Sequence, residues 1–399
     1  MKKWLSCFMI IILTVAMPIS IVAQAEPSTE RSYIQTSTVF SEKSLDDMLD
    51  LYTEFRADTL RKNKKVLLTD PAEKKALSGN GTVRACTEIF DESILADERR
   101  REPLIQDMEN RLALSIVDAY SETEIISQQS EGNKLIVDCY VKTFFNYKDI
   151  SRANDPEAPV DLSGFGTYHT LTFIKGAGNR LRLIEDSYDE GPLTNMKSSS
   201  YTSQEDTTLQ TLEETYSQIG IANPSVSVNA PKGPDDDFSY WYGDRAVTYH
   251  VREGVAYSDK YALSYNPNFK NFNSSGGDCV NFASQCFDAA TRQQCRNTSF
   301  KPYTSAWISS TASMKYWTSG NRGFKMMCTP SRSFVGEGQF VWYDWEGKGG
   351  GNTFYHTAYC VGKDSNNVYI VNSHNADLYH IRWNFGGSKC LYATSILRG

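Results

Sequence analysis

Apolar residues first fall into a readable pattern at Leu45, where Leu45, Met48, Leu51, Tyr52 and Phe55 recur at three- and four-residue spacing. That stripe predicts an amphipathic helix, and Ser41-Glu42-Lys43-Ser44 supplies its N-terminal signal. A second stripe of Leu104, Met108, Leu112, Ile116 and Val117 predicts helix over roughly residues 97–121. The period then changes from helical to alternating. Residues 134–145 read as a long strand, and 168–175 with 180–184 as a hairpin pair across Gly176-Ala177-Gly178-Asn179. Helices followed by antiparallel strands describe an α+β domain, with the helices packed on one face of a curved sheet.

Residues 191–239 break both periods. Pro192, Ser198-Ser199-Ser200, Pro224, Pro231, Pro234 and Asp235-Asp236-Asp237 make this stretch poor in apolar content, and it reads as a linker with a short helix near 209–219. From Tyr240 the chain turns aromatic. Tyr242 to Tyr249 is expected to open a helix running towards Tyr261, closed by the turn Tyr265-Asn266-Pro267-Asn268-Phe269. Next come Gly276-Gly277-Asp278-Cys279 and then Ala283, Cys286, Phe287 and Ala290 at helical spacing. A Ser/Thr-rich segment holds Trp307 and Trp317, and strands are expected at 339–343, 355–362, 368–372 and 378–383. A helix bearing a cysteine, followed by an antiparallel sheet, is similar to the order of papain-like hydrolases. The expected fold is α+β: a separate N-terminal α+β domain over 26–190 and a papain-like domain over 240–399.

The first 25 residues change the picture of where the chain works. Lys2 and Lys3 precede an apolar run from Leu5 to Val22, and Ala23-Gln24-Ala25 is a small-x-small cleavage site. This is the signature of a secretory signal peptide, which implies an exported protein, secreted or held at the cell surface, with no integral membrane segment after cleavage. Removing it would take the net charge from −7 to −9. An acidic chain without a basic stripe argues against a nucleic-acid partner. Eight cysteines remain after the apolar run, and none has a CxxC or Cys/His zinc spacing; cysteine hydrolase chemistry implies no metal or organic cofactor. A Cys86–Cys139 bridge, one or two C-terminal bridges and at least one buried thiol are the expected usage.

Cys279 has the address of a nucleophile. A thiol at a helix N-terminus lies among unpaired backbone N–H groups at the positive end of the helix dipole, which favours thiolate. Such a nucleophile needs an imidazole, and a polar group to orient it. His169 reads as a half-exposed strand residue, His250 as a satisfied helix residue, and His380 as part of a late strand. His356 follows Gly349-Gly350-Gly351 and opens a strand, so it is the expected general base. If the 363–367 turn centres on Ser365, His374 stands opposite His356 with Asn372 on the same face. A one-residue shift would put Ser373 and Asn375 there instead. Either Asn372 or His374 could orient the base, and His374 is favoured. Asn273 or a tyrosine near 265 could add a second oxyanion donor to the Cys279 N–H.

Gly276-Gly277-Asp278-Cys279-Val280-Asn281-Phe282-Ala283-Ser284-Gln285-Cys286 closely resembles the signature of the putative amidase domain family of exported Gram-positive bacterial proteins. Tyr242-Gly243-Asp244-Arg245-Ala246-Val247 and Tyr265-Asn266-Pro267-Asn268-Phe269 match that family's lead-in, although members usually carry Gly-His where this chain has Tyr355-His356. The resemblance covers about residues 240–399. It implies a cysteine-dependent amidase that forms a thioester at Cys279, with peptide or peptidoglycan-like material as its substrate. Acyl transfer to an amine, as in transglutaminase-like proteins, is the alternative within the same chemistry. A secreted wall-binding protein with an inert domain is the alternative outside it, since 23 tyrosines and 7 tryptophans could build a binding surface.

Overall fold

The first predicted stripe forms its helix: α1 runs Leu45–Leu60 and buries Met48, Leu49, Tyr52 and Phe55. The computed structural model describes residues 45–61, 89–176, 180–188, 237–242, 245–275, 277–318, 325–328, 336–344, 354–385 and 391–396. The signal segment and nearly all of the expected linker, with its helix near 209–219, lie outside the described residues. Helix α2 spans Glu92–Leu112, with the Asp91 carboxylate accepting from the Ser93 N–H at its start. It ends earlier than its stripe suggests because Ala113 turns left-handed, at φ 53°. Ile116 and Val117 therefore belong to strand β1 (Leu114–Glu131), where Leu114 and Ile116 point inward and Val117 outward.

Strands β2 (Lys134–Asp149), β3 (Asp161–Lys175) and β4 (Leu181–Tyr188) follow. Gly132, at φ 62°, supplies the left-handed residue of the tight β1–β2 turn closed by Glu131 and Lys134. The helix expected from Tyr242 is instead a hairpin of β5 (Asp237–Tyr242) and β6 (Arg245–His250), and α3 starts only at Val251, running to Tyr261. Val247 and Tyr249 are buried while Ala246 is exposed, so the period in this stretch is two. Helices α4 (Cys279–Ala290), α5 (Ser305–Ile308) and α6 (Ser310–Thr318) come next. Strands β7 (Lys325–Cys328), β8 (Phe340–Asp344), β9 (His356–Lys363), β10 (Tyr369–Ser373), β11 (Asp377–Arg382) and β12 (Leu391–Ile396) complete the described elements. Four of them lie where alternation predicts strands. No helix among the described residues is long and apolar enough to cross a membrane.

Mixed helix and antiparallel sheet is the fold class. One ten-stranded sheet runs β1-β2-β3-β11-β10-β9-β8-β12-β7, with β4 also on β3. Strand β3 is the seam: β4 pairs along 169–175 on the edge where β11 pairs at Gly164–Gly166. The sheet expected to be confined to the N-terminal region is thus continuous with the C-terminal one. Their core is shared as well, because Ile105, Met108, Phe145 and Phe165 pack in one cluster with Tyr343, Ala358, Cys360 and Val371. The opposite face of the C-terminal strands carries a second cluster, in which Phe282, Ala283, Cys286 and Phe287 of α4 meet Phe340, Trp342, Tyr359 and Val361. Trp307 and Trp317 lie in that cluster, fully buried.

Five described cysteines, Cys139, Cys279, Cys286, Cys295 and Cys360, are buried, and Cys139, Cys286 and Cys360 are free thiols. The expected Cys86–Cys139 bridge does not form, because Cys139 points into the core under α1 beside Val137 and Val141. Burial pushes the thiols of Cys139 and Cys360 up to about 12 and raises Cys286 as well, so these three behave as apolar core residues.

Beneath α1 lies a buried polar network. The Arg56 guanidinium meets Glu98 at 2.9 Å and Asp186 at 3.5 Å, and Glu98 also accepts from Arg101 at 2.5 Å and Thr59 at 2.8 Å. His169, expected half-exposed, is 2% exposed and lies 2.9 Å from Asp186 and 2.7 Å from Thr167. Burial drives its pKa down to about 4 despite the hydrogen bond to Asp186. Removing one partner from such a network strands the remaining charge in the core. Arg56→Met should lower the unfolding free energy by about 3–5 kcal/mol in urea titration, and an unchanged midpoint would show that the charges are solvated.

Candidate active site

Cys279 opens α4, a helix whose twelve residues are all buried. The turn before it is held by Asn375 and His374, which follow β10, and by Asn281 of α4 itself. Gly277 sits at φ 119°, where a Cβ would collide with the Asn375 amide, so glycine is required on both counts. The Asp278 N–H donates to Asn375 Oδ1 at 2.6 Å. Asp278 stands at the N-cap position of α4, yet its carboxylate makes no capping bond. Instead Oδ1 accepts from the Phe272 N–H at 2.9 Å and the Asn281 amide at 2.8 Å, while Oδ2 lies 2.7 Å from His374 Nδ1. Asn281 is fixed in turn by the Trp307 indole at 2.9 Å and the Lys270 carbonyl at 2.9 Å. Beside the thiol, Ser310 Oγ lies 3.8 Å from Cys279 Sγ, and Thr357 Oγ1 donates to Ser310 Oγ at 3.0 Å.

The lead-in turn serves the same end. Asn266 caps its own turn by accepting from the Asn268 N–H at 3.0 Å, and it donates to Tyr257 OH at 2.8 Å. Tyr257 donates in turn to Gln285 of α4 at 2.6 Å, so this turn ties α3 to the cysteine helix. The two candidates for a second oxyanion donor are engaged elsewhere: Asn273 Nδ2 donates to Tyr265 OH, and Tyr265 OH donates to Asp377 at 2.6 Å.

The four expected site residues divide between the two faces of the sheet. The β9–β10 register pairs Ile370 with Gly362 but Val371 with Cys360, a bulge that moves the pairing by one residue. Asn372 then faces Tyr359, so His374 aligns with Thr357 and not with His356. Thr357, Tyr359 and Val361 point to the α4 side. His356, Ala358 and Cys360 point to the α2 side, where the His356 ring packs 5.5 Å from Tyr343 and 5.9 Å from Phe385.

His374 joins Cys279 through Asp278, with its Nε2 2.8 Å from the Tyr261 carbonyl and its ring stacked 4.0 Å from Phe282. Asn372 lies further along, donating to Ser258 at 3.1 Å and Asp259 at 2.9 Å and accepting from the His380 N–H at 2.7 Å. His380 Nε2 lies 2.8 Å from Asp259. Asp278, which links His374 to the cysteine turn, is the neighbour that the sequence reading did not single out. The only signal for it was an acid immediately before the cysteine. Among the described residues no cluster of three or more His, Cys, Asp or Glu could hold a metal.

Electrostatics separates the two histidines. Burial works against a charge on His374, but the hydrogen bond to Asp278 and the charges of Asp377 and Asp278 outweigh it and raise its pKa above 6.5. With an acceptor against each ring nitrogen, the imidazolium donates to both. For His356, burial pushes the pKa down to about 3, so its ring is neutral.

With this geometry in place, comparisons show what the region is similar to. Residues 248–396 match the family described as a putative amidase domain, as the motifs around Cys279 imply. An uncharacterized protein of Bacillus subtilis (strain 168), YhbB, is 31% identical over 160 residues. That alignment takes in 38% of this chain and 49% of the relative, so the chain spans about half the length of the curated relative it matches. Among solved structures, the intermembrane space region of chloroplast protein ARC6 matches with a TM-score of 0.23 at 10% identity, covering 38% of this chain and 98% of that one.

The two histidines give opposite pH dependences. Unfolded His356 binds a proton near pH 6.5 and folded His356 only near 3, so its contribution is complete above about 6.5 and is lost as the pH falls. His374 contributes fully below 6.5 and loses its contribution as the pH rises through its raised folded value. His356→Gln should therefore lose less stability than the parent between pH 6.5 and 3.5 in thermal denaturation. An unchanged acid limb would place the imidazole in solvent.

Proposed function

We propose that this protein is an exported, cysteine-dependent amide hydrolase with a papain-like C-terminal half, acting on cell-wall peptide material. The observation that carries this reading is Cys279 at the mouth of a wholly buried helix, its turn clamped by Asp278, His374 and Asn375. The match to the putative amidase domain supports amide hydrolysis as the reaction class. The apolar N-terminal run with its small-x-small site supports export.

In this reading Cys279 Sγ bonds to the amide carbon, the C–N bond breaks, and the nitrogen leaves as an amine carrying the thiol's proton. Water then cleaves the thioester to release the acid and restore the thiol. The Cys279 N–H, at the first turn of α4, is the donor expected to face the developing oxyanion, since first-turn N–H groups point out of the helix N-terminus. His356 is the expected proton carrier, and for that role it must exchange faces with Thr357. A one-residue displacement at the start of β9 does this, because strand side chains alternate.

A second reading is an amidase-like domain that binds wall peptide without cleaving it. The placement of Ser310 beside the thiol, held by Thr357, with His356 on the far face, favours it. Incubating the protein with purified peptidoglycan and analysing soluble fragments by mass spectrometry separates the two. Hydrolysis predicts new amine-terminated peptides that vanish with Cys279→Ala and fall at least a hundredfold with His356→Ala, the usual contribution of general base catalysis being roughly 10²–10⁴-fold. Identical profiles for parent and Cys279→Ala would sink the hydrolase.

A further inference from the structure

The carboxylate of Asp377 is buried at the seam between the N-terminal strands and the cysteine site. Its Oδ2 accepts from Tyr140 OH of β2 at 2.6 Å, and its Oδ1 from Tyr265 OH at 2.6 Å. Tyr140 does not neighbour Asp377 in the sheet, since β3 lies between β2 and β11. The hydroxyl crosses β3 above Gly166, the residue that pairs with both Lys142 and Asp377. A Cβ at Gly166 would occupy the place of the Tyr140 hydroxyl oxygen. The glycine therefore exists as a gap through which one tyrosine reaches the next sheet section.

From Asp377 the contacts continue to Cys279. The Tyr265 ring packs 4.3 Å from the His374 ring, and His374 holds Asp278, the residue before the cysteine. Asp377 also supplies part of the negative charge that keeps His374 protonated. Its own carboxyl is raised by burial and held down by His374, Tyr140 and Tyr265, so each hydroxyl helps keep it ionised.

We propose that Tyr140 is a positioning residue for Cys279, acting through Asp377, Tyr265, His374 and Asp278, so that the N-terminal strands are a working part of the site. The proposal rests on Cys279 being the reactive group, but its test requires no turnover. Without the Tyr140 hydroxyl, Asp377 takes up a proton more readily and loses the charge that stabilises imidazolium at His374. His374 then gives up its proton at lower pH, and the Asp278 turn loses its charged clamp.

Tyr140→Phe keeps the ring and removes only the hydroxyl. Two quantities are read on the full chain: the His374 imidazole titration by NMR and the rate of Cys279 alkylation by iodoacetamide across pH. Tyr147→Phe is the control, because Tyr147 also gives a hydroxyl to a buried carboxylate, Asp364 at 3.3 Å, on the other face of the sheet. Tyr140→Phe should lower the His374 titration midpoint and change the Cys279 alkylation rate about threefold to tenfold, with Tyr147→Phe near the parent on both. Tyr265→Phe, which removes the other donor, should repeat the Tyr140 result and serves if Tyr140→Phe does not fold. Parent-like values in Tyr140→Phe or Tyr265→Phe, or equal changes in the Tyr147 control, would overturn the proposal. A parent protein that cleaves no amide would sink the hydrolase reading while leaving these two measurements valid.

Discussion

The Asp278 carboxylate, 1% exposed and one residue from Cys279, is the constraint on which the site depends. An ionised carboxylate in a dry interior is expensive unless its oxygens are satisfied by donors. Here a backbone N–H, an asparagine amide and an imidazolium fill that need, and each comes from a different stretch of chain. The 272–278 turn, the start of α4 and the end of β10 are thereby locked together. The thiol's position follows from that lock. The lead-in turn adds to it, since Asn266 and Tyr257 brace the same helix two turns on.

The sheet imposes the second constraint. Six antiparallel strands of the C-terminal half and the long strands of the N-terminal half share one hydrogen-bonded surface through β3. Helices α1 and α2 cover one face, and α3 and α4 cover the other over the C-terminal strands. A side chain on such a strand has only two addresses. At β9, Thr357 takes the address facing Ser310, which lies beside the thiol, and His356 takes the one beside Tyr343 and Phe385. Which side chain of β9 faces the α4 side therefore turns on a register.

Much of this was legible in the residues. The stripes at Leu45 and Leu104, the alternation from Lys134 and the late strands all became the elements their periods predict. Failures came where two signals compete. Ile116 and Val117 continue a helical stripe, but Ala113 reverses the chain before them. Residues 245–250 alternate too briefly to be told from a helix start, and cross-strand pairing decided for the hairpin. His169 alternates with Leu171 and Phe173, yet it is buried because α1 carries Tyr52 and Arg56 over it.

Local sequence was enough to determine that a cysteine opens a helix after a Gly-Gly turn, and that histidines stand at the ends of two neighbouring strands. These properties depend only on spacing, since helix and strand periods are set by the backbone. Which histidine shares a face with the cysteine depended on a bulge between β9 and β10, and the pairing of strands remote in sequence is a tertiary property. Asp278 as an ion-pair partner, Tyr140 as a neighbour of Asp377 and the seam at Gly166 were likewise decided only in the folded chain. Each joins groups separated by 96 residues or more, and no local pattern encodes a contact made across that distance.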